Sequence, residues 1–321
     1  MSAAEPTPTA PHTAARPAQT TGAVILVRPT GFGYDPETAA SNAFQRVLPD
    51  ADIRLRAATE FDDLLAALDH SGIDALVLDP ADPATPNAVF PNNWFSTHAD
   101  GSVVLYPMCT PGRRRERDAH LDTVLRREGY TATRVIDFTA LEQEGRYLEG
   151  TGSLVLDRAN ARAYACTSPR TTPGALNRWC ARMGYEQVPF LATMDGTLAG
   201  QPVYHTNVVM SVGEGFAVVC LEALPYPVDR DDLWAELDRA GKEIIPITLA
   251  QMHGYVGNML QLRGSHGPCI LLSGTAFEAL HPDQRIALER HARLMPVDVP
   301  VIEAVGGGSV RCMLAENFLE G

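Results

Sequence analysis

Four polar segments interrupt the apolar runs of this chain, and together they hold the side chains needed for covalent catalysis. Gly306-Gly307-Gly308-Ser309-Val310-Arg311-Cys312 places a thiol just past a glycine-rich bend where backbone can approach a neighbour closely. A thiolate is the reactive form of cysteine and a strong nucleophile. Tyr204-His205-Thr206-Asn207 puts an imidazole at the head of an apolar run, where it can exchange protons near neutral pH. Glu149-Gly150-Thr151-Gly152-Ser153 sets a carboxylate beside a sharp turn. Phe90-Pro91-Asn92-Asn93-Trp94 offers two amides between aromatic rings, which suits a pocket that hydrogen-bonds a flat polar group. Each segment alone has a plain alternative: a buried core cysteine, a hydrogen-bonded structural histidine, a solvated glutamate, or an Asx turn in a surface loop. As a set, Cys312, His205 and Glu149 can make, orient and use a thiolate.

The elements that must position these segments are short. Runs of β-branched and other apolar residues predict strands at 23–27, 75–78, 103–106, 153–156, 161–166, 206–212, 216–221, 269–273 and 309–314. Helical periodicity predicts helices over 62–68, 114–127, 174–183, 230–240 and 283–294. Strands tend to come in hairpin pairs followed by a helix, a unit repeated four or five times at about 50–60 residues. Such α/β units are easiest to arrange around an axis, strands inside and helices outside. Residues 1–21, rich in Ala, Thr and Pro, read as a disordered tail without the apolar stretch of a secretory signal. Residues 22–321 read as a single catalytic domain.

Composition removes several classes. The formal charge is −13, which argues against a nucleic-acid partner. No apolar stretch has the length of a membrane span. The six cysteines form no C-x-x-C pair, so neither a zinc site nor a disulfide framework is expected, and a reducing cytoplasm fits. Phosphate-loop and H-E-x-x-H motifs are absent, and no metal or organic cofactor is expected.

At the strings Phe90 to Ser96, Glu149 to Asp157, Ala165 to Thr171, His205 to Asn207 and Gly306 to Cys312, the chain resembles the guanidine-modifying, or pentein, superfamily. That group includes arginine deiminase, dimethylarginine dimethylaminohydrolase, succinylarginine dihydrolase and glycine amidinotransferase. Within it the chain is most similar to the citrulline-utilisation, or amidinotransferase-like, hydrolases, over Val27 to Phe318. The resemblance implies a five-bladed pseudo-symmetric α/β propeller with a central site. It also implies Cys312 as nucleophile, His205 as acid/base, Glu149 as the acidic partner, and Arg170 and Arg114 as carboxylate binders. Asn92, Asn93, Asn207 and Phe90 complete the expected substrate site. The substrate implied is a small amino acid with a ureido or guanidino group, and a homodimer is left open.

Where many relatives carry carboxylates, this chain has Asn93, Ser153 and Asn207. An amide offers a donor and an acceptor, which complements a urea better than a cationic guanidinium. The expected reaction is therefore hydrolysis of citrulline to ornithine, ammonia and carbon dioxide. The alternatives are an arginine dihydrolase or deiminase, a dimethylarginine dimethylaminohydrolase, or a non-catalytic pentein that only binds a partner.

Overall fold

One structural unit recurs five times along the chain, in a computed structural model that describes residues 17–49 and 51–321. The strands are β1 (Ala23–Val27), β2 (Asp74–Leu78), β3 (Phe95–Thr97), β4 (Ser102–Leu105) and β5 (Arg134–Asp137). They continue with β6 (Val155–Asp157), β7 (Arg162–Cys166), β8 (Glu186–Phe190), β9 (Met210–Val212) and β10 (Phe216–Val219). The last five are β11 (Glu243–Pro246), β12 (Leu260–Gly264), β13 (Gly267–Ser273), β14 (Arg293–Val297) and β15 (Ala315–Glu316). They form five three-stranded sheets. In four of these an antiparallel hairpin is followed by a third strand parallel to its second member, as in β3-β4-β5. The remaining sheet is built from both ends of the chain. There β1 pairs parallel to β2 and antiparallel to β15, with Val24 opposite Glu316.

A parallel neighbour requires a crossover, and a helix supplies one in every unit. These are α1 (Ile53–His70), α2 (Leu121–Arg127), α3 (Pro173–Met183), α4 (Pro227–Arg239) and α5 (Pro282–Glu289). Helix α1 shows the logic. Ala57, Phe61, Leu64 and Leu68 share one face and are buried against the apolar cluster containing Val24, Leu26 and Leu271. Prolines at the first turns of α3, α4 and α5 start those helices without losing a hydrogen bond.

A turn precedes the first strand of each hairpin. The turns Pro91–Asn93, Gly150–Ser153, Thr206–Val209 and Val310–Met313 are helical and lead into β3, β6, β9 and β15. A non-helical turn at 254–258 leads into β12. The Gly150–Ser153 turn packs against Pro91–Asn93 and Thr206–Val209, and Pro91–Asn93 packs against Val310–Met313. The polar segments of the sequence are thereby gathered in one place.

Several sequence expectations need correction. The predicted strands 153–156, 206–212 and 309–314 each begin as a helical turn and become strand only at Val155, Met210 and Ala315. These turns are short and buried, and each runs straight into an apolar strand, so the sequence gives no boundary between turn and strand. The predicted helix 114–127 divides into Pro111–Arg114 and α2, because the intervening segment turns Glu116 inward onto Arg113. The predicted helix 283–294 ends at Glu289, and strand β14 follows. Of the expected tail, residues 1–16 lie outside the described residues. Gln19, Thr20 and Thr21 are buried: Gln19 Nε2 donates to the carbonyl of Leu156 at 2.9 Å, and Gln19 Oε1 accepts from the amide of Arg158 at 2.7 Å. Polar composition concealed a segment held by hydrogen bonds to strand backbone.

Candidate active site

Cys312 lies on the Val310–Met313 turn and is buried. Its sulfur accepts from Asn207 Nδ2 at 3.4 Å and from Asn258 Nδ2 at 3.3 Å. The glycines before it are needed for close packing: a Cβ on Gly306 or Gly308 would meet the Phe90 ring at 2.8 or 2.9 Å.

His205 caps the Thr206–Val209 turn, and its Nε2 lies 2.9 Å from Glu149 Oε2. Nδ1 is thus the nitrogen left for proton exchange. Gly152 makes room for it, since a Cβ there would stand 2.6 Å from Nδ1 and 2.4 Å from Asn93 Nδ2. Burial lowers the basicity of His205 to about 4, against the opposing pull of the Glu149 hydrogen bond and charge. Burial would raise Glu149, but Arg170, the hydrogen bond and charge of His205, and Arg113 hold it at about 2. The resting pair is neutral imidazole with ionised carboxylate. Glu149 Oε1 also accepts from the backbone amide of Cys109 at 3.0 Å.

Two buried arginines flank that carboxylate, each with a nitrogen 3.6 Å from Glu149 Oε2. Arg113 makes a two-pronged pair with Glu116, at 2.9 and 2.8 Å, and donates to Asn93 Oδ1 at 2.7 Å. Burial alone would lower its basicity, but Glu116 raises it above the ordinary value. Arg170 donates to the Thr38 carbonyl at 2.7 Å and to Ser41 Oγ at 2.9 and 2.8 Å, and stacks 5.0 Å over the Tyr204 ring. Tyr204 in turn donates to the Gly307 carbonyl at 2.6 Å.

These groups enclose a narrow cavity. Cys312, His205, Asn93, Phe90 and Arg170 all line it, together with Thr38, Asn42, Asn87, Arg113 and the three glycines. Glu149 stands behind His205. Asn92 also stands behind the wall, its Oδ1 accepting from Asn93 Nδ2 at 3.0 Å. Asn207 reaches the sulfur without lining the cavity. Arg114 does not line it either. Its guanidinium donates to the carbonyls of Met108 and Cys109, at 3.0 and 3.2 Å, and pairs with Glu142 at 3.3 Å. Its neighbour Arg113 points inward instead. No periodic signal separates three consecutive arginines, so the sequence could not choose among them.

Sequence reasoning missed Asn42, Asn87 and Asn258. The first two reach the cavity from loops without periodicity. Asn258 had a signal, since Gly257-Asn258 stands directly before the apolar start of β12, as the other polar turns stand before β3, β6, β9 and β15. Among the described residues no group of three or more His, Cys, Asp or Glu could hold a metal ion.

The fold that carries these residues is shared with known structures. No curated protein sequence matches the chain. Among solved structures, the substrate-bound N-terminal domain of ArgZ, an arginine dihydrolase of the ornithine-ammonia cycle in cyanobacteria, superposes with a TM-score of 0.71 at 13% identity. The match covers 92% of this chain and 97% of that one. Full-length apo ArgZ gives 0.70 at 14% identity, and 91% of this chain spans only 40% of it. A dimethylarginine dimethylaminohydrolase adduct with 4-chloro-2-hydroxymethylpyridine gives 0.61 at 15% identity, covering 93% of this chain and 100% of that one. At such identities these likenesses concern the fold. Residues 28–319 match the family model described as N,N dimethylarginine dimethylhydrolase, eukaryotic, and with nearly the whole length covered the chain belongs to that family.

Proposed function

We propose that this protein hydrolyses a C–N bond in the ureido group of citrulline through a covalent intermediate on Cys312, giving ornithine, ammonia and carbon dioxide. The carrying observation is the lining of the cavity. It holds three amides (Asn42, Asn87 and Asn93) and two arginines, and no Asp or Glu among the described residues. Neutral amides of this kind are compatible with a neutral urea, and Asn87 Oδ1 is an acceptor with no side-chain or backbone partner among the described residues. A guanidinium in the same place would have no carboxylate in direct contact to offset its charge. Arg170 and Arg113 suit the substrate's α-carboxylate.

His205 begins as a base because its resting form is neutral. It takes the Cys312 proton, and the imidazolium is stabilised by Glu149. The thiolate attacks the ureido carbon, and the imidazolium returns its proton to the leaving ornithine nitrogen. A carbamoyl thioester remains. Water, deprotonated by His205, attacks it and releases carbamate, which breaks down to ammonia and carbon dioxide.

The proposal extends to architecture and location. Pairing of β1 with β15, and the meeting of the turns, support five sheets standing as blades of a pseudo-symmetric α/β propeller around the site. Six unpaired cysteines suit a reducing cytoplasm. A second reading, arginine dihydrolysis, is favoured by the likeness to the ArgZ domain.

The test is incubation with citrulline, arginine, methylated arginines and succinylarginine, assayed for ornithine, citrulline and ammonia. Citrulline should yield ornithine and ammonia in equal amounts, and Cys312→Ser should yield neither. Ornithine with two ammonia from arginine, and inert citrulline, would replace the first reading by the second. Wild-type turnover by Cys312→Ser would remove the covalent mechanism.

A further inference from the structure

We propose that Asn258 is a further catalytic residue, which with Asn207 forms a cradle of two amide donors that holds the Cys312 sulfur in its thiolate form. This rests on the reading of Cys312 as the nucleophile. Both donors meet the sulfur itself, at 3.3 Å from Asn258 and 3.4 Å from Asn207. A thiol sulfur is a weak acceptor. Hydrogen bonds to the charged form favour that form, so the pair of donors favours the thiolate.

The orientation of Asn258 is not a free choice. Its Nδ2 also donates to the backbone carbonyl of Asn207 at 2.9 Å. A carbonyl oxygen can only accept, so the amide must turn its NH₂ group toward it. The second hydrogen of that group is left for the sulfur. Reversing the amide would set two oxygens 2.9 Å apart. Asn258 therefore cannot accept from a Cys312 S–H group, and its only possible role toward the sulfur is as donor. The Asn207 side chain has no such anchor.

Two structural features accompany this arrangement. Asn258 and Asn207 are both buried, and the Oδ1 of each has no partner among the described residues. The backbone is also unusual. Tyr255 adopts a positive φ of 61°, and Gly257 lies so near the Thr206–Val209 turn that a Cβ would meet the Val208 carbonyl oxygen at 2.2 Å. Non-glycine residues in the left-handed region concentrate at functional sites, where the surroundings enforce them. Here the bent turn and its close approach bring the Asn258 amide against Asn207 and the sulfur.

Asn258→Leu, of similar volume, and Asn258→Ala provide the test. Alkylation of Cys312 by iodoacetamide is followed against pH by mass spectrometry, alongside kcat and KM for the substrate turned over. In folded variants alkylation of Cys312 at neutral pH should slow about tenfold, because a sulfur without its donors is held less readily as the reactive thiolate. The value of kcat should fall with it and KM should hold. Asn258→Leu should be the slower of the two, because the smaller Ala side chain leaves space in which water can donate to the sulfur. A profile superimposable on wild type in either folded variant overturns the proposal. The unaltered protein gives a measurement independent of folding. The Asn258 Nδ2 resonances should titrate together with Cys312 alkylation, and resonances that stay fixed across that pH range overturn the proposal equally. Failure of the underlying reading looks different: Cys312→Ser would remain active.

Discussion

Replacing Glu149 by Gln tests the catalytic reading most severely, because it removes one charge and almost no volume. Glu149 is buried and accepts from His205 Nε2 and the Cys109 amide, with Arg113 and Arg170 nearby. The fall of its carboxyl from an ordinary 4.5 to about 2 corresponds to about 3 kcal/mol of native stability. Because the folded value is the lower one, that stability is fully present above the unfolded value and disappears as pH falls through the folded one. Glu149→Gln should lose about the same amount at neutral pH, and its stability should no longer show that acid limb. The catalytic effect should be larger. A glutamine can satisfy Cys109 with its oxygen only by turning its NH₂ group toward His205 Nε2. That contact selects the tautomer with the proton on Nδ1, the nitrogen required as base. By analogy with loss of the carboxylate in other acid/base triads, kcat should drop about a thousand- to ten-thousand-fold. Denaturant unfolding and ornithine release on the same preparation separate the two effects. A folded Gln variant with kcat within about tenfold of wild type would refute the assignment of Glu149 as the partner that sets the His205 tautomer.

Four further outcomes follow from the same geometry. Gly152→Ala should displace His205 and Asn93, so activity should collapse and the unfolding midpoint should fall with the loss of their buried hydrogen bonds; intact activity would mean the ring has another place to go. Arg170→Ala should raise KM for a substrate with a free α-carboxylate by an amount equivalent to about 2–5 kcal/mol, and equal losses on a carboxyl-amidated analogue would show that Arg170 does not touch that group. Asn93→Asp, read as binding in a Cys312→Ser background, should weaken citrulline and leave arginine unchanged or tighter; the opposite pattern would sink the charge-matching argument. Burial lowers His98 to about 3, so it is neutral when folded and the unfolded chain takes the proton first. Stability should therefore fall as pH drops from 6.5 toward 3, and His98→Gln should flatten that slope in denaturant titrations.

Local sequence determined the punctuation of this protein. The glycines at 150, 152 and 306–308 marked bends where backbone could come close to a neighbour, and at 152, 306 and 308 the neighbours are Asn93, His205 and Phe90. The apolar periodicity of α1 and α3 and the β-branched run of β1 announced buried faces, since a 3.6-residue or extended repeat allows little else. Cys312, His205 and Glu149 were legible as a set of reactive types; Cys312 and His205 line one cavity, and Glu149 meets His205 from behind it. Tertiary structure decided what local signals cannot carry. Helical turn and strand were indistinguishable at 206–209 and 310–313, because a buried turn of four residues running into a strand is too short to show a helical period. Which of Arg113, Arg114 and Arg115 enters the cavity depended on Glu116 folding back and on carbonyls presented by Met108 and Cys109. The amide oriented by a backbone carbonyl and aimed at the sulfur depended on residues 51 positions apart meeting across two units, a distance over which sequence spacing says nothing.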